Sequence, residues 1–70
     1  MAKNYKEQLA NNLKYLMGNM SANEFAKKVG IPQQTISRYL NCQREISLTN
    51  LCKIADYFDE EIDFLIGRKS

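Results

Sequence analysis

Apolar residues at Leu9, Leu13, Leu16 and Met17 recur at intervals of three and four, which places them on one face of an α-helix. This stripe predicts a helix over 5–17, ended by Gly18 and Asn19. Phe25, Ala26 and Val29 form a shorter stripe, opened by the capping-box pair Ser21 and Glu24 and stopped by Gly30, and predict a helix over 21–28. Pro32, with its φ already set for a first helical position, opens a third span over 32–40 in which Ile36, Tyr39 and Leu40 face inward. Past the polar loop from Asn41 to Arg44, Ser47 caps a fourth helix over 48–58, where Leu48, Leu51, Ile54, Ala55 and Phe58 keep the period. Glu60 and Glu61 favour the N-terminus of a fifth helix over 61–66, with Ile62, Leu65 and Ile66 on its apolar face and Gly67 closing it.

No strand signal interrupts these segments, so the expected fold is all-α, a compact five-helix bundle formed by residues 1–70 as a single domain. The second and third helices, joined by a tight glycine-containing turn, make a helix-turn-helix pattern.

Composition narrows the chemistry. Seventy residues leave no room for a separate catalytic domain. With no histidine, no phosphate-cradling glycine loop and no inferable carboxylate pair, no catalytic constellation is visible, and an enzyme is not expected. Cys42 and Cys52 are too few for a disulfide framework or a zinc site of ordinary spacing, so neither metal nor cofactor is expected. Lone cysteines fit a reducing compartment, here read as the cytoplasm. The apolar run Phe64, Leu65 and Ile66 is far too short to span a membrane. A core this small gains from partner surface.

The net charge of +2 hides an asymmetry. Residues 21–44 carry Lys27, Lys28, Arg38 and Arg44 against Glu24, a local +3, whereas residues 45–66 carry Lys53 against Glu45, Asp56, Asp59, Glu60, Glu61 and Asp63, a local −5. Such a distribution would turn the middle of the chain toward a polyanion, although both signs also serve to solvate helix surfaces.

The third helix is polar where it is not apolar. Gln33, Gln34, Thr35, Ser37 and Arg38 share its outward side, a set that could equally clothe a solvated face or read base edges. Glutamine pairs bidentately with adenine N6 and N7, arginine with guanine O6 and N7, and a threonine methyl packs on that of thymine.

The stretch Ser21-Ala22-Asn23-Glu24-Phe25-Ala26-Lys27-Lys28-Val29-Gly30-Ile31-Pro32-Gln33-Gln34-Thr35-Ile36-Ser37-Arg38-Tyr39-Leu40-Asn41 resembles the Cro/repressor-type (XRE-like) helix-turn-helix family. Arg44 to Leu48, Leu51, Ile54, Ala55 and the run Asp63 to Gly67 continue the likeness over nearly the whole chain. The resemblance implies a lambda-repressor-like fold and a bacterial or phage transcription regulator, a repressor in the first instance, bound as a homodimer to a palindromic double-stranded operator. Carried over by position, Gln33, Gln34, Thr35, Ser37 and Arg38 take the base-contacting role. Asn41, Gln43 and Arg44 take phosphates, with Asn23 as a further phosphate candidate, and Phe64 and Ile66 are possible dimer contacts. No membrane or small-molecule substrate is implied.

Three departures from the family pattern involve four positions. Ala22 stands where glutamine commonly holds phosphate. Cys42 replaces a loop glycine, so either Asn41 or Cys42 must take the left-handed conformation. Met17 and Leu40 replace a basic–acidic pair, and because both partners have become apolar together they are expected to meet in the core without leaving a buried charge. An alternative reading keeps the fold but makes the chain a protein-interaction module, of antitoxin or anti-repressor type, working through the fourth and fifth helices.

Overall fold

The computed structural model describes residues 4–69. Five helices follow one another without a strand among these residues: α1 (Tyr5–Met17), α2 (Ala22–Val29), α3 (Gln33–Leu40), α4 (Leu48–Phe58) and α5 (Ile62–Leu65). Each start has a local cause. The Asn4 side chain accepts from the Glu7 amide at 3.2 Å to open α1, and the Ser47 hydroxyl accepts from the Asn50 amide at 3.1 Å to open α4. At α2 the cap is reciprocal: the Glu24 amide donates to Ser21 Oγ and the Ser21 amide to Glu24 Oε1, both at 3.1 Å.

Three starts fall one residue later than the spans read from the sequence, and the correction has one explanation. Ser21, Pro32 and Glu61 have extended ψ angles of 161°, 140° and 143° and act as caps, each lending its carbonyl to the first turn while remaining outside the helix. Pro32 is therefore the N-cap of α3 and not its first helical residue. The end of α2 moves out to Val29, and α5 stops at Leu65, leaving Ile66 as its C-cap.

The core is built from α1 (Leu9, Ala10, Leu13, Met17), α2 (Phe25, Ala26), the turn residue Ile31, α3 (Ile36, Tyr39), α4 (Leu51, Ile54, Ala55) and Leu65 of α5. Phe25, wholly buried, stacks on Phe58 with ring centroids 5.3 Å apart and meets the edge of Tyr57 at 5.9 Å, which binds α2 to the end of α4. Met17 lies in the core and Leu40 packs at its margin, so the two positions where the family resemblance places an ion pair are apolar members of one cluster. Leu48, by contrast, is 74 % exposed. It occupies the first position of α4, where its side chain overhangs the helix start, and the inward stripe of α4 begins at Leu51.

A side chain distant in sequence closes the fold. Asn12 of α1 donates through Nδ2 to the carbonyls of Phe64 at 2.8 Å and Leu65 at 2.9 Å, tying the last turn of α5 to α1; the Phe64 carbonyl also accepts from the Gly67 amide at 3.1 Å. Gly67, at φ 80°, then lies so close to α1 that a Cβ there would stand 2.6–2.9 Å from three side-chain atoms of Gln8. A four-residue helix too short to persist by itself is held by this contact and by buried Leu65.

Candidate nucleic-acid interface

Two short helices set the geometry of the candidate interface. Gly30 takes the left-handed conformation at φ 74° and ends α2, and Ile31, 3 % exposed, plugs the turn into the core. Pro32 then starts α3 immediately, so α2 and α3 are joined by a turn of three residues held to the core through its buried middle residue, Ile31.

On α3 the inward residues Ile36 and Tyr39 are buried, and Gln33, Gln34 and Arg38 are exposed. Thr35 and Ser37 are half-buried, flanking the outward face and not standing on it, which corrects the uniform exposure expected of the set. At 100° per residue, the direction opposite Ile36, Tyr39 and Leu40 falls on Gln34 and Arg38. These two are four residues apart, about 6 Å along the axis, close to two base-pair steps of a duplex.

The loop after α3 is folded back onto that helix. The Asn41 amide donates to the Ser37 carbonyl at 3.0 Å, Cys42 to Tyr39 at 3.2 Å and Gln43 to Arg38 at 2.8 Å. Cys42 and not Asn41 takes the left-handed conformation, with φ 60° against −97°. Its Sγ donates to the Lys6 carbonyl at 3.7 Å, so the loop also leans on the first turn of α1. Asn41, Gln43 and Arg44 all project as exposed side chains from this anchored loop. Asn23 is exposed in the first turn of α2, beside Ala22, while Lys27 and Lys28 are exposed in its last turn.

Electrostatics near α2 is set at its cap. Glu24 is held below the ordinary carboxylate range, first by the Ser21 backbone amide and then by the Ser21 hydroxyl, with Lys28 adding to both. It is thus an anion engaged in its own helix cap and lying within the field of Lys28.

A family model described as helix-turn-helix matches residues 13–65 of the chain, from the middle of α1 through α5. The chain belongs to the Cro/repressor (XRE) helix-turn-helix family. It is a DNA-binding regulator, and its nucleic acid is double-stranded DNA. Searches of curated proteins and of solved structures returned no significant match. The match covers the turn, the α3 helix and the loop together, so Asn23, the exposed α3 residues and Asn41, Gln43 and Arg44 all lie within the family's own segment. Phe64 and Ile66 are both half-buried against the core, with the Phe64 carbonyl engaged by Asn12. No helix among the described residues is long and apolar enough to cross a membrane.

One contributor stands outside the helix-turn-helix. Asn50 of α4 donates through Nδ2 to the hydroxyl of Tyr39 at 2.9 Å, joining α3 to α4 directly behind the exposed face. Its only trace in the sequence is an asparagine in the first turn of an otherwise regular amphipathic helix.

Proposed function

We propose that the chain is a transcription repressor that lays α3 in the major groove of a palindromic operator and binds as a homodimer. The observation that carries this reading is the placement of Gln34 and Arg38 at the centre of the exposed face of α3, with Gln33 at its leading end. Gln34 and Arg38 read base edges, Gln33 contacts the base nearest the helix start, and Ser37 and Thr35 line the groove walls. Asn41, Gln43 and Arg44 hold phosphates on one side of α3, and Asn23 with the α2 amides does so on the other. Because the loop is hydrogen-bonded to α3, phosphate and base contacts move as one body, which fixes the register of the reading helix.

Selection of bound duplexes from a random pool tests the proposal. The expected product is a two-fold repeated half-site whose centres lie one helical turn, about 34 Å, apart. Affinity for it should fall with salt at a logarithmic slope of several, reflecting the phosphates neutralised per dimer. Recovery of no preferred sequence, with equal affinity for every duplex, would overturn groove reading by α3.

A further inference from the structure

Tyr39 touches both ends of the loop that carries Asn41, Gln43 and Arg44. At the near end its carbonyl accepts from the Cys42 amide at 3.2 Å, beside the 2.8 Å bond from the Gln43 amide to the Arg38 carbonyl. At the far end its buried hydroxyl accepts from Asn50 Nδ2 at 2.9 Å. Asn50 lies in the first turn of α4, where its backbone amide donates to the Ser47 hydroxyl at 3.1 Å, so the residue that grips Tyr39 is itself seated by the cap that ends the loop. Residues 41–47 are thereby closed into a ring through one tyrosine. The near-end bonds reach as far as Gln43, and the place of Arg44 then depends on where α4 begins relative to α3. Helix-to-helix packing does little to set that relation: α3 packs chiefly on α1 and α2, and α4 on α2 and α5, so the Asn50–Tyr39 bond ties two helices that otherwise touch little.

We propose that Asn50 and Tyr39 are positioning residues for DNA binding, and that their hydrogen bond holds the loop in its phosphate-binding shape before DNA arrives. This role rests on the reading of Gln43 and Arg44 as phosphate contacts and names what sets their place. Tyr39 is 2 % exposed and acts without touching the duplex. A loop ordered beforehand spends less of its contact energy on ordering when it binds. Without the tie that cost falls on every duplex alike, because phosphates carry no sequence information. The salt slope stays as it was, since the same phosphates are neutralised once DNA has ordered the loop. This combination, weaker binding with base preference and slope both intact, differs from the loss of a base contact and from the loss of a phosphate contact.

Affinities of the full chain for the selected operator and for random duplex, over a range of salt, test the role. Tyr39→Phe and Asn50→Ala should each weaken both by about three- to tenfold, with base preference and salt slope as in the wild type. The two changes together should cost no more than the larger of them, because either one removes the same bond. In a chain already carrying Gln43→Ala and Arg44→Ala, Tyr39→Phe should cost less than about twofold, whereas a merely structural loss would cost as much there as in the wild type. Hydrogen exchange reads the tie without DNA: the Cys42 and Gln43 amides should exchange faster once the tyrosine hydroxyl is gone. Wild-type affinity in both single variants, an equal loss from Tyr39→Phe with and without Gln43 and Arg44, a loss confined to one base position, or unchanged exchange at Cys42 and Gln43 would each overturn the role. A different result marks failure of the underlying reading: if Gln43→Ala with Arg44→Ala binds DNA like the wild type, the loop is no phosphate anchor, and the positioning role falls with it.

Discussion

Asn50 and Tyr39 join α4 to α3 through a 2.9 Å hydrogen bond in which the asparagine amide donates to a phenol that is only 2 % exposed. The same Asn50 receives the Ser47 cap at its backbone amide, so one residue both starts α4 and grips the last turn of α3. Removing the donor should cost more than removing the acceptor. Asn50→Ala leaves a buried hydroxyl without its donor, about 1–3 kcal/mol, whereas Tyr39→Phe loses only the net bond, about 0.5–1.5 kcal/mol. Urea unfolding of both variants checks the order. Two costs near zero would mean that water replaces the bond freely.

Gly67 and Gly30 both have positive φ, 80° and 74°, but they differ in what surrounds them. Nothing lies within 4 Å of a Cβ built on Gly30, so Gly30→Ala should cost only the left-handed strain, about 1–2 kcal/mol. At Gly67 the new carbon would meet the Gln8 side chain at 2.6–2.9 Å, including its own Cβ, which cannot swing away. Gly67→Ala should therefore be the more damaging, and the loss should appear as early hydrogen exchange at the end of α5. Equal costs, or protection of α5 intact, would show that the contact with α1 yields without consequence.

Glu24 gives the helix-turn-helix a pH dependence of known sign. Its carboxyl is depressed in the folded chain, chiefly by the Ser21 amide, so its stabilising effect is present above the ordinary carboxylate range of the unfolded chain and is lost as pH falls through the lower folded value. The stability difference between wild type and Glu24→Gln should accordingly be largest near neutral pH and close in acid. A difference that grows as pH falls would contradict the assigned cap.

Much of this architecture is legible in the chain because its causes are local. The three-and-four spacing of Leu9, Leu13, Leu16 and Met17 carries α1, and Ser21 with Glu24 carries the start of α2. Whether Ser21, Pro32 and Glu61 stand inside or just before a helix depends on ψ, which residue type does not dictate at a cap, and the shift of one residue follows from that. Long-range partners are another matter. Nothing near Asn12 in sequence signals that its amide serves carbonyls 52 and 53 positions later, and nothing near Asn50 points to Tyr39. The partial burial of Thr35 and Ser37 was equally hidden, because the helix period gives a direction for each side chain but not how far the neighbouring segments reach around it. Choosing between Asn41 and Cys42 for the left-handed position needed the loop's hydrogen bonds to α3.

Division of labour on DNA provides the sharpest check on the interface. If Gln34 and Arg38 occupy the centre of the reading face, Gln34→Ala and Arg38→Ala should each cost about 1–3 kcal/mol on the selected operator and relax preference at one base position apiece, two steps apart. Affinity for random duplex should change little for Gln34→Ala, since a neutral side chain displaces no counterions. Arg44→Ala should behave oppositely, weakening all sequences alike and reducing the salt slope by about one unit per contact. Thr35→Ala should have a smaller effect on specificity than either central residue, because its side chain is half-covered by the protein. Competition binding against operators altered at single positions separates these outcomes. Loss of specificity at Arg44 with none at Gln34 would mean that the loop and not the centre of α3 faces the bases, and the docking would have to be rotated about the axis of that helix.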